Sequence, residues 1–231
     1  MKDITIIIPV FNEIKTIDKI LEKVLELRIK SQIIVVDDGS TDGTSDYLIN
    51  NKKKINKIIF HKNNHGKGAA IISAKKYIKG RYVAIQDADL AYNPKDLKKI
   101  YNYIKKNNYK VVYGSRVLKK NMYQNTQNFT HLIRILGNVF LTFISNVINN
   151  QNLTDAHTCY KVFRSDIFKK INLQEKGFSF CPEVTTKISN KKYKIHEIPI
   201  NYKGRSYKQG KKISSADGLD ALYCLIKYKF F

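Results

Sequence analysis

Short apolar, β-branched runs alternate with segments of helical spacing through the first half of this chain, and that alternation limits the folds it can adopt. A proline near the start of the segment 94–106 suits the first turn of a helix. A strand–helix order of this kind predicts an α/β fold, with a mostly parallel sheet flanked by helices. We expect its strands at residues 4–10, 33–36, 57–60, 82–85 and 110–113.

Two acidic pairs stand at the ends of these predicted strands. Asp37 and Asp38 follow the second strand, and Asp87 and Asp89 follow the fourth. Ligands of open α/β sheets bind outside the carboxyl ends of the strands. An Asp-x-Asp sequence can present two hard oxygens to one Mg²⁺ or Mn²⁺. The pattern therefore predicts a divalent metal that carries a nucleotide diphosphate, with both aspartates of each pair engaged in ligand binding.

Two further segments suit such a ligand. After the first strand, Phe11 can stack on a base, and Glu13 can accept hydrogen bonds from a base or a ribose. Lys67 lies between two glycines at a predicted helix N-terminus, where anions are favoured. The chain has no G-x-x-x-x-G-K-[ST] sequence and no G-x-G-x-x-G after the first strand. These absences argue against a P-loop and a dinucleotide site.

Positive charge dominates the composition. The 231 residues include 42 lysines and arginines against 19 aspartates and glutamates, a formal net charge of +23. Such a balance suits nucleic acid, phosphorylated substrates or an anionic membrane surface, although a lysine-rich soluble surface is the plainer alternative. The three cysteines form no Cys-x-x-Cys pair, so we expect reduced, structural thiols in a cytosolic protein. A strand follows directly after Met1, so no signal peptide is expected.

Two segments of the second half have broad apolar faces at helical spacing. The first, 132–148, is interrupted by five polar residues and is not expected to span a bilayer; they are Arg134, Asn138, Thr142, Ser145 and Asn146. The second, 219–230, runs into a Lys-Tyr-Lys-Phe-Phe terminus. Each could pack on the sheet as ordinary core, or lie in a membrane interface with lysines toward lipid phosphates. The residues leave both alternatives open.

Several short motifs, taken in order, point to one family. They are Pro-Val-Phe-Asn-Glu, Val-Asp-Asp-Gly-Ser-Thr-Asp-Gly-Thr, Asn-His-Gly-Lys-Gly, Gln-Asp-Ala-Asp-Leu and Val-Tyr-Gly-Ser-Arg. Their order resembles the inverting family 2 (GT-A) glycosyltransferases, and within them the dolichyl- or polyprenyl-phosphate mannose and glucose synthases. The resemblance covers nearly the whole chain. It implies a GT-A fold with a nucleotide-sugar half at 1–116, an acceptor half at 117–213, and a C-terminal amphipathic, membrane-interfacial helix at 214–231.

The resemblance also implies roles for individual residues. Catalysis would rest on Asp89, Asp155 and Arg116, and the metal, Mg²⁺ or Mn²⁺, would bind Asp87 and Asp89. Ala91 stands where many relatives have Gln or Glu, so water could complete the metal's ligands. His157 stands where many relatives carry an acidic residue, and we assign it no role. The donor and the phosphates would be held by Pro9, Phe11, Glu13, Val36, Asp38, Lys67, Asp87, Ala88, Arg134, Arg205 and Lys212.

The implied reaction moves mannose or glucose from GDP-mannose or UDP-glucose to a polyprenyl or dolichyl phosphate, with inversion, at the cytoplasmic face of a membrane. A lipid monophosphate is already mostly ionised near pH 7, so it needs no strong base to attack the anomeric carbon. The protein then needs mainly to hold the acceptor phosphate and the donor diphosphate close together, with cations that offset their charge. One alternative is a soluble or polysaccharide hydroxyl acceptor, which would need a base. A more remote alternative is a basic nucleic-acid-binding module, whereas the family resemblance implies no nucleic-acid partner.

Overall fold

The computed structural model describes residues 2–118, 129–205 and 216–231, without the side chains of 129–134 and 216. Short 3₁₀ turns at Lys52–Lys54 and Lys75–Tyr77 lie between its main elements. The strands are β1 (Ile4–Val10), β2 (Ser31–Asp37), β3 (Lys57–Phe60), β4 (Tyr82–Ile85), β5 (Val111–Ser115), β6 (Lys161–Arg164) and β7 (Ile195–Pro199). The helices are α1 (Ile17–Leu25), α2 (Thr44–Asn50), α3 (Lys67–Ala74), α4 (Pro94–Lys106), α5 (Phe129–Asn149), α6 (Ser165–Lys170), α7 (Phe180–Asn190) and α8 (Ala216–Phe230).

The seven strands form one sheet in the order β3-β2-β1-β4-β6-β5-β7. All neighbouring pairs are parallel except those of β6, which is antiparallel to both β4 and β5. The predicted mostly parallel α/β sheet is therefore confirmed. Strand β6 was not predicted, because it has four residues with a charge at each end and gives almost no periodic signal. The predicted halves 1–116 and 117–213 both contribute strands to this single sheet.

Apolar residues cover both faces of the sheet. In β1, Ile6 and Ile8 face the side covered by α1 and α4, while Ile7 faces the side covered by α3 and α7. Alternating residues of a strand point to opposite faces, and a strand covered on both faces reads as a continuous apolar run. This explains the consecutive apolar residues at 6–10 in β1 and 33–36 in β2. The parallel register sets Val10 beside Asp37, so both strands end at the same edge of the sheet.

Helices α5 and α8 confirm the two predicted helical segments, but their apolar faces point outward. On α5 the polar Thr142, Ser145 and Asn149 are buried. Of the two alternatives left open by the sequence, core packing does not describe these exposed side chains. The inner side of α5 carries polar residues, whereas α8 is buried through Ala221, Cys224 and Leu225. No helix within the described ranges combines the length and apolar content needed to cross a bilayer. The outward apolar face of α5 and α8 consists of Leu136, Val139, Phe140, Phe143, Val147, Leu219, Tyr223, Ile226, Phe230 and Phe231.

Candidate active site

The segments that follow β1, β2 and β4 open onto a cavity of about 390 Å³ at the carboxyl edge of the sheet. Val36 is buried in the core and Asp155 lies behind the wall, so neither lines this cavity. The side chain of Arg134 and the whole of Lys212 lie outside the described residues. The cavity brings together ten of the predicted site residues: Pro9, Phe11, Glu13, Asp38, Lys67, Asp87, Ala88, Asp89, Arg116 and Arg205.

The Asp-x-Asp pair after β4 is neutralised by two cations from distant parts of the chain. Lys67, the first residue of α3, forms an ion pair with Asp87. Burial alone would lower the pKa of Lys67, but the Asp87 charge beside it raises that pKa above its ordinary value. Arg205 binds the other carboxylate, with Nη2 at 2.7 Å from Oδ2 of Asp89. Burial and the neighbouring Asp87 charge raise the pKa of Asp89, so this corner of the cavity favours additional positive charge.

Glu13 completes the same network from the first loop. Arg205 donates from Nη1 and Nη2 to the two carboxylate oxygens of Glu13 at 3.0 and 2.9 Å. The Thr16 hydroxyl lies 3.0 Å from Oε2 of Glu13 and 3.0 Å from the Ala88 carbonyl oxygen, and its single proton is shared between these two acceptors. Bidentate pairing of this kind fixes the orientation of both side chains. One guanidinium thus connects the loop after β1 to the loop after β4.

The two aspartates after β2 have different surroundings. Asp37 accepts the Ser40 backbone N–H at 3.0 Å and the Ser45 hydroxyl, so it stabilises the turn and does not line the cavity. The prediction that both aspartates serve the ligand is therefore wrong for Asp37. Gly39 makes the turn possible, because its φ is +77° and a Cβ there would lie 2.7 Å from the Asn63 backbone.

Asp38 lines the cavity and is held by the segment that follows β3. His61 Nδ1 lies 2.6 Å from its Oδ1, and the backbone N–H groups of His65 and Gly66 donate to Oδ1 and Oδ2 at 3.0 and 2.7 Å. His61 Nε2 in turn lies 2.8 Å from the Ser73 hydroxyl. His61 was missed from the sequence, since a lone histidine after a short strand gives no signal of its own.

Arg116 reaches the cavity from the end of β5, and Asp155 orients it from behind. The guanidinium donates from Nε and Nη2 to the two oxygens of Asp155, both at 2.7 Å. Asn138 of α5 donates to the same carboxylate at 3.2 Å. Burial alone would raise the pKa of Asp155, but the Arg116 charge holds it below its ordinary value. Asp155 is fully buried, so its predicted catalytic role remains a prediction, and its observed contacts are those of a positioning residue.

Two more residues near Arg116 were given no role from the sequence. Glu197 of β7 accepts the backbone N–H groups of Thr154 and Asp155 at 2.6 and 3.0 Å, which fixes the loop that carries Asp155. His157 lines the cavity, and its buried Nε2 has no hydrogen-bond partner among the residues that the structure describes. Burial lowers the pKa of His157 to about 4, so its ring is neutral near pH 7. The place of Glu197 and His157 near the cavity follows from their neighbours in the folded chain, and no local sequence pattern indicates it.

The donor set at Asp87 and Asp89 suits a hard divalent cation with incomplete protein coordination. Two carboxylates from one loop face the cavity, and Ala91 beside them offers only a methyl group and a backbone N–H, which donates to Asp89 at 3.1 Å. Within the described ranges, no three His, Cys, Asp or Glu side chains form a group that could hold a metal. Mg²⁺ commonly binds through one or two carboxylates together with phosphate oxygens and water, so these residues fit a metal–diphosphate complex.

Comparisons with known proteins agree with this geometry. The model of Glycosyl transferase family 2 matches residues 5–172. The dolichyl-phosphate beta-glucosyltransferase ALG5D of Trichomonas vaginalis is 30% identical over 216 residues, which cover 86% of this chain and 65% of that enzyme. The UDP-N-acetylglucosamine–dolichyl-phosphate N-acetylglucosaminyltransferase of Methanococcus voltae is 28% identical, over 99% of this chain and 96% of that enzyme.

A solved structure shows the same fold at low sequence identity. Glucosyl-3-phosphoglycerate synthase from Mycobacterium tuberculosis, crystallised with Mn²⁺, UDP and phosphoglyceric acid, superimposes with a TM-score of 0.74. The match covers all of this chain and 79% of the synthase at 13% identity. The predicted GT-A fold is thereby confirmed.

Proposed function

This chain belongs to Glycosyl transferase family 2, and we propose that it transfers a hexose, glucose or mannose, from a nucleotide diphosphate sugar to a polyprenyl or dolichyl phosphate with inversion. The names of the two dolichyl-phosphate relatives support a lipid phosphate acceptor. The observation that carries the proposal is the pairing of every carboxylate that lines the cavity. Glu13 and Asp89 bind Arg205, Asp87 binds Lys67, and Asp38 binds His61 and two backbone N–H groups.

The paired carboxylates favour an acceptor that is already an anion. A hydroxyl acceptor needs a base that removes its proton as the new bond forms. A phosphate monoester is mostly ionised at pH 7 and needs only to be held in place. Arg116 supplies a fixed cation at the cavity wall, oriented by Asp155 and Asn138. The hydroxyl-acceptor alternative keeps the fold, but each carboxylate that lines the cavity already has a cation or N–H partner. The neutral His157 is a weak base for this task, because burial lowers its pKa to about 4.

At the donor end, Asp87 and Asp89 would bind Mg²⁺ or Mn²⁺, as the complexes of the structural neighbour suggest. When bound, the metal supplies positive charge that stabilises the departing nucleotide diphosphate. Lys67 is positioned to contribute a second charge to the same phosphates, since it lies at a helix N-terminus beside Asp87. Phe11 and Pro9 line the part of the cavity that would receive the base.

Inversion follows from the order of bond changes. An acceptor phosphate oxygen would attack the anomeric carbon from the face opposite the diphosphate, and the bond to the diphosphate oxygen would break as the new bond forms. The chain's own contribution is to hold the two anions on opposite sides of the sugar, with Arg116 at the acceptor and Lys67 at the donor. The side chain of Arg134 and the whole of Lys212 lie outside the described residues, so both remain predicted phosphate contacts.

We also propose that the outward apolar face of α5 and α8 contacts the cytoplasmic face of a membrane. Helix α5 connects the cavity wall to the outward apolar face. Asn138 on its inner side bonds to Asp155, while Phe140 and Phe143 on its outer side are exposed. A prenyl chain could therefore stay in the lipid while its phosphate approaches Arg116. Apolar side chains of an interfacial helix insert into the boundary between headgroups and acyl chains.

A transfer assay tests the proposed function. The purified protein with Mn²⁺ is incubated with radiolabelled nucleotide sugars and either a polyprenyl phosphate or soluble sugar acceptors. We expect label in the lipid phase only with the polyprenyl phosphate, and none with Asp89→Ala. Asp46→Ala removes an exposed carboxylate outside the cavity and should leave transfer unchanged. Product formed only with soluble sugars would contradict the proposal. Salt-dependent RNA binding that survives Asp89→Ala, without any sugar transfer, would favour the nucleic-acid-binding module instead.

A further inference from the structure

We propose that His61 makes the donor cavity select uridine over guanosine nucleotides, because it leaves Asp38 a single hydrogen-bond acceptor for the base. The inference rests on the proposed function, in which a nucleotide diphosphate sugar is the donor. It concerns a specificity-determining residue that lies outside the predicted site. The base enters beside Phe11, which with Asp38 lines the same cavity.

The occupancy of the Asp38 carboxylate can be counted. A carboxylate offers about four acceptor positions, two on each oxygen. His61 Nδ1 and the His65 backbone N–H take both positions on Oδ1, at 2.6 and 3.0 Å. The Gly66 backbone N–H takes one position on Oδ2, at 2.7 Å. Among the contacts of the described residues, one acceptor position on Oδ2 remains.

The donors that surround Asp38 are held in place. His61 Nδ1 faces a carboxylate oxygen, so we assign the ring proton to Nδ1, and Nε2 then accepts from the Ser73 hydroxyl at 2.8 Å. The His61 backbone N–H is also fixed, to the Asp37 carbonyl at 2.8 Å. Gly66 has a φ of +95°, and a Cβ there would lie 2.6 Å from the Lys176 carbonyl oxygen. The segment is packed closely and cannot easily turn its N–H groups away from Asp38.

Guanine and uracil differ in the number of acceptor positions that they need on a carboxylate. Guanine presents two adjacent N–H donors, on N1 and on the exocyclic amine, which suit both oxygens of one carboxylate. Uracil presents one imide N–H, which needs a single acceptor. With Oδ1 of Asp38 already filled, uracil can be satisfied, whereas one guanine donor would be left without a partner.

Glu13 does not offer the missing bidentate acceptor. Its two oxygens already receive the Arg205 guanidinium at 2.9 and 3.0 Å, and the Thr16 hydroxyl binds one of them. A bidentate guanine pair on Glu13 would have to displace Arg205 Nη1 or the Thr16 hydroxyl from Oε2, which already has both of these donors. A site that leaves one buried donor unpaired discriminates against that ligand by about tenfold or more.

Calorimetric titration of the protein with UDP, GDP and N3-methyl-UDP in Mg²⁺ tests the inference. We expect UDP to bind at least about tenfold more tightly than GDP. N3-methylation should weaken the binding of UDP by about tenfold, because the methyl group replaces the only hydrogen-bond donor of the uracil base. His61→Ala should narrow the UDP-to-GDP ratio, since it returns an acceptor position on Oδ1. His61→Asn keeps an N–H near the Nδ1 position and should preserve the ratio.

The results of the titrations distinguish failure of the base selectivity from failure of the proposed glycosyl transfer. Equal or tighter binding of GDP than of UDP, or equal binding of UDP and N3-methyl-UDP, overturns the assignment while glycosyl transfer still stands. Failure of both diphosphates to bind overturns the proposed function and this inference with it. The comparison of the three nucleotides uses the unmodified protein and tests the selectivity itself, whether or not His61→Ala folds. Folded His61→Ala with an unchanged UDP-to-GDP ratio, or folded His61→Asn that loses the ratio, overturns the role assigned to His61.

Discussion

The Arg116–Asp155 pair gives the sharpest quantitative prediction, because the same chain contains an exposed counterpart. Asp155 is fully buried, and Arg116 is largely buried and bonds to both of its oxygens. Arg164 and Asp166 form the same kind of two-bond pair at 3.1 and 2.7 Å, but with both side chains substantially exposed. Truncation of each aspartate to alanine therefore compares one geometry in two environments.

The expected magnitudes differ strongly between the two pairs. Removing one partner of a buried ion pair leaves an uncompensated charge and costs about 3–5 kcal/mol. An exposed pair contributes about 0–1 kcal/mol because water screens it. Asp155→Ala should lower the free energy of unfolding by about 3–5 kcal/mol, and Asp166→Ala by less than about 1 kcal/mol. For a chain of this size the first change corresponds to a fall in Tm of roughly 6–20 °C.

The pH dependence has a definite sign. The pKa of Asp155 in the folded protein lies below its unfolded value, mainly because the Arg116 charge outweighs the effect of burial. The stabilisation is therefore present above the unfolded pKa of about 3.9 and is lost as the pH falls through the folded pKa. Urea denaturation at pH 7 and in the acid range should show the gap between wild type and Asp155→Ala closing as the pH falls. Equal costs for Asp155→Ala and Asp166→Ala at pH 7 would refute the reasoning.

Three further predictions concern the cavity and the apolar face. Lys67→Ala should weaken UDP binding by at least about tenfold in calorimetry, because a charge-assisted contact is lost, whereas Lys62→Ala at an exposed position should not. Phe143→Ser should reduce sedimentation with anionic liposomes without lowering the Tm, while Ile49→Ser, at another exposed apolar position, should leave liposome binding unchanged. Burial lowers the pKa of His157 to about 4, so the free energy of unfolding should fall by roughly 2.5 kcal/mol as the pH drops from 6.5 to 4. His157→Phe should flatten that slope in urea titrations, and an unchanged slope would contradict this explanation.

The sequence predicted the part of the fold that local patterns determine. Strands β1, β3 and β4 and helix α4 were predicted with the bounds that they have in the structure, because consecutive apolar residues or a strongly amphipathic pattern mark each of them. Strand β6 was missed because its inward-facing Lys161 looks polar in sequence. Its ammonium is buried and bonds to the Ala156 carbonyl at 2.8 Å, over the ring of Tyr113.

The candidate site was predictable where residues lie next to strand ends and not where the tertiary structure supplies the partner. Asp87 and Asp89 follow β4, so their place at the cavity could be expected from the sheet alone. Arg205, which binds Asp89 and Glu13, lies 192 residues from Glu13, and no local pattern links these residues. His61 is a further example, because only the folded chain sets its ring between Asp38 and Ser73.

The central claim is that the acceptor is a lipid phosphate whose own charge replaces a general base. The most direct measurement compares transfer to a polyprenyl phosphate with transfer to the polyprenol of the same length, from one nucleotide sugar and with Mn²⁺ present. The two acceptors differ only in the phosphate, so membrane contact and chain length are matched. We predict labelled lipid with the phosphate and none with the alcohol. Comparable transfer to both, or transfer to the polyprenol alone, would contradict the account.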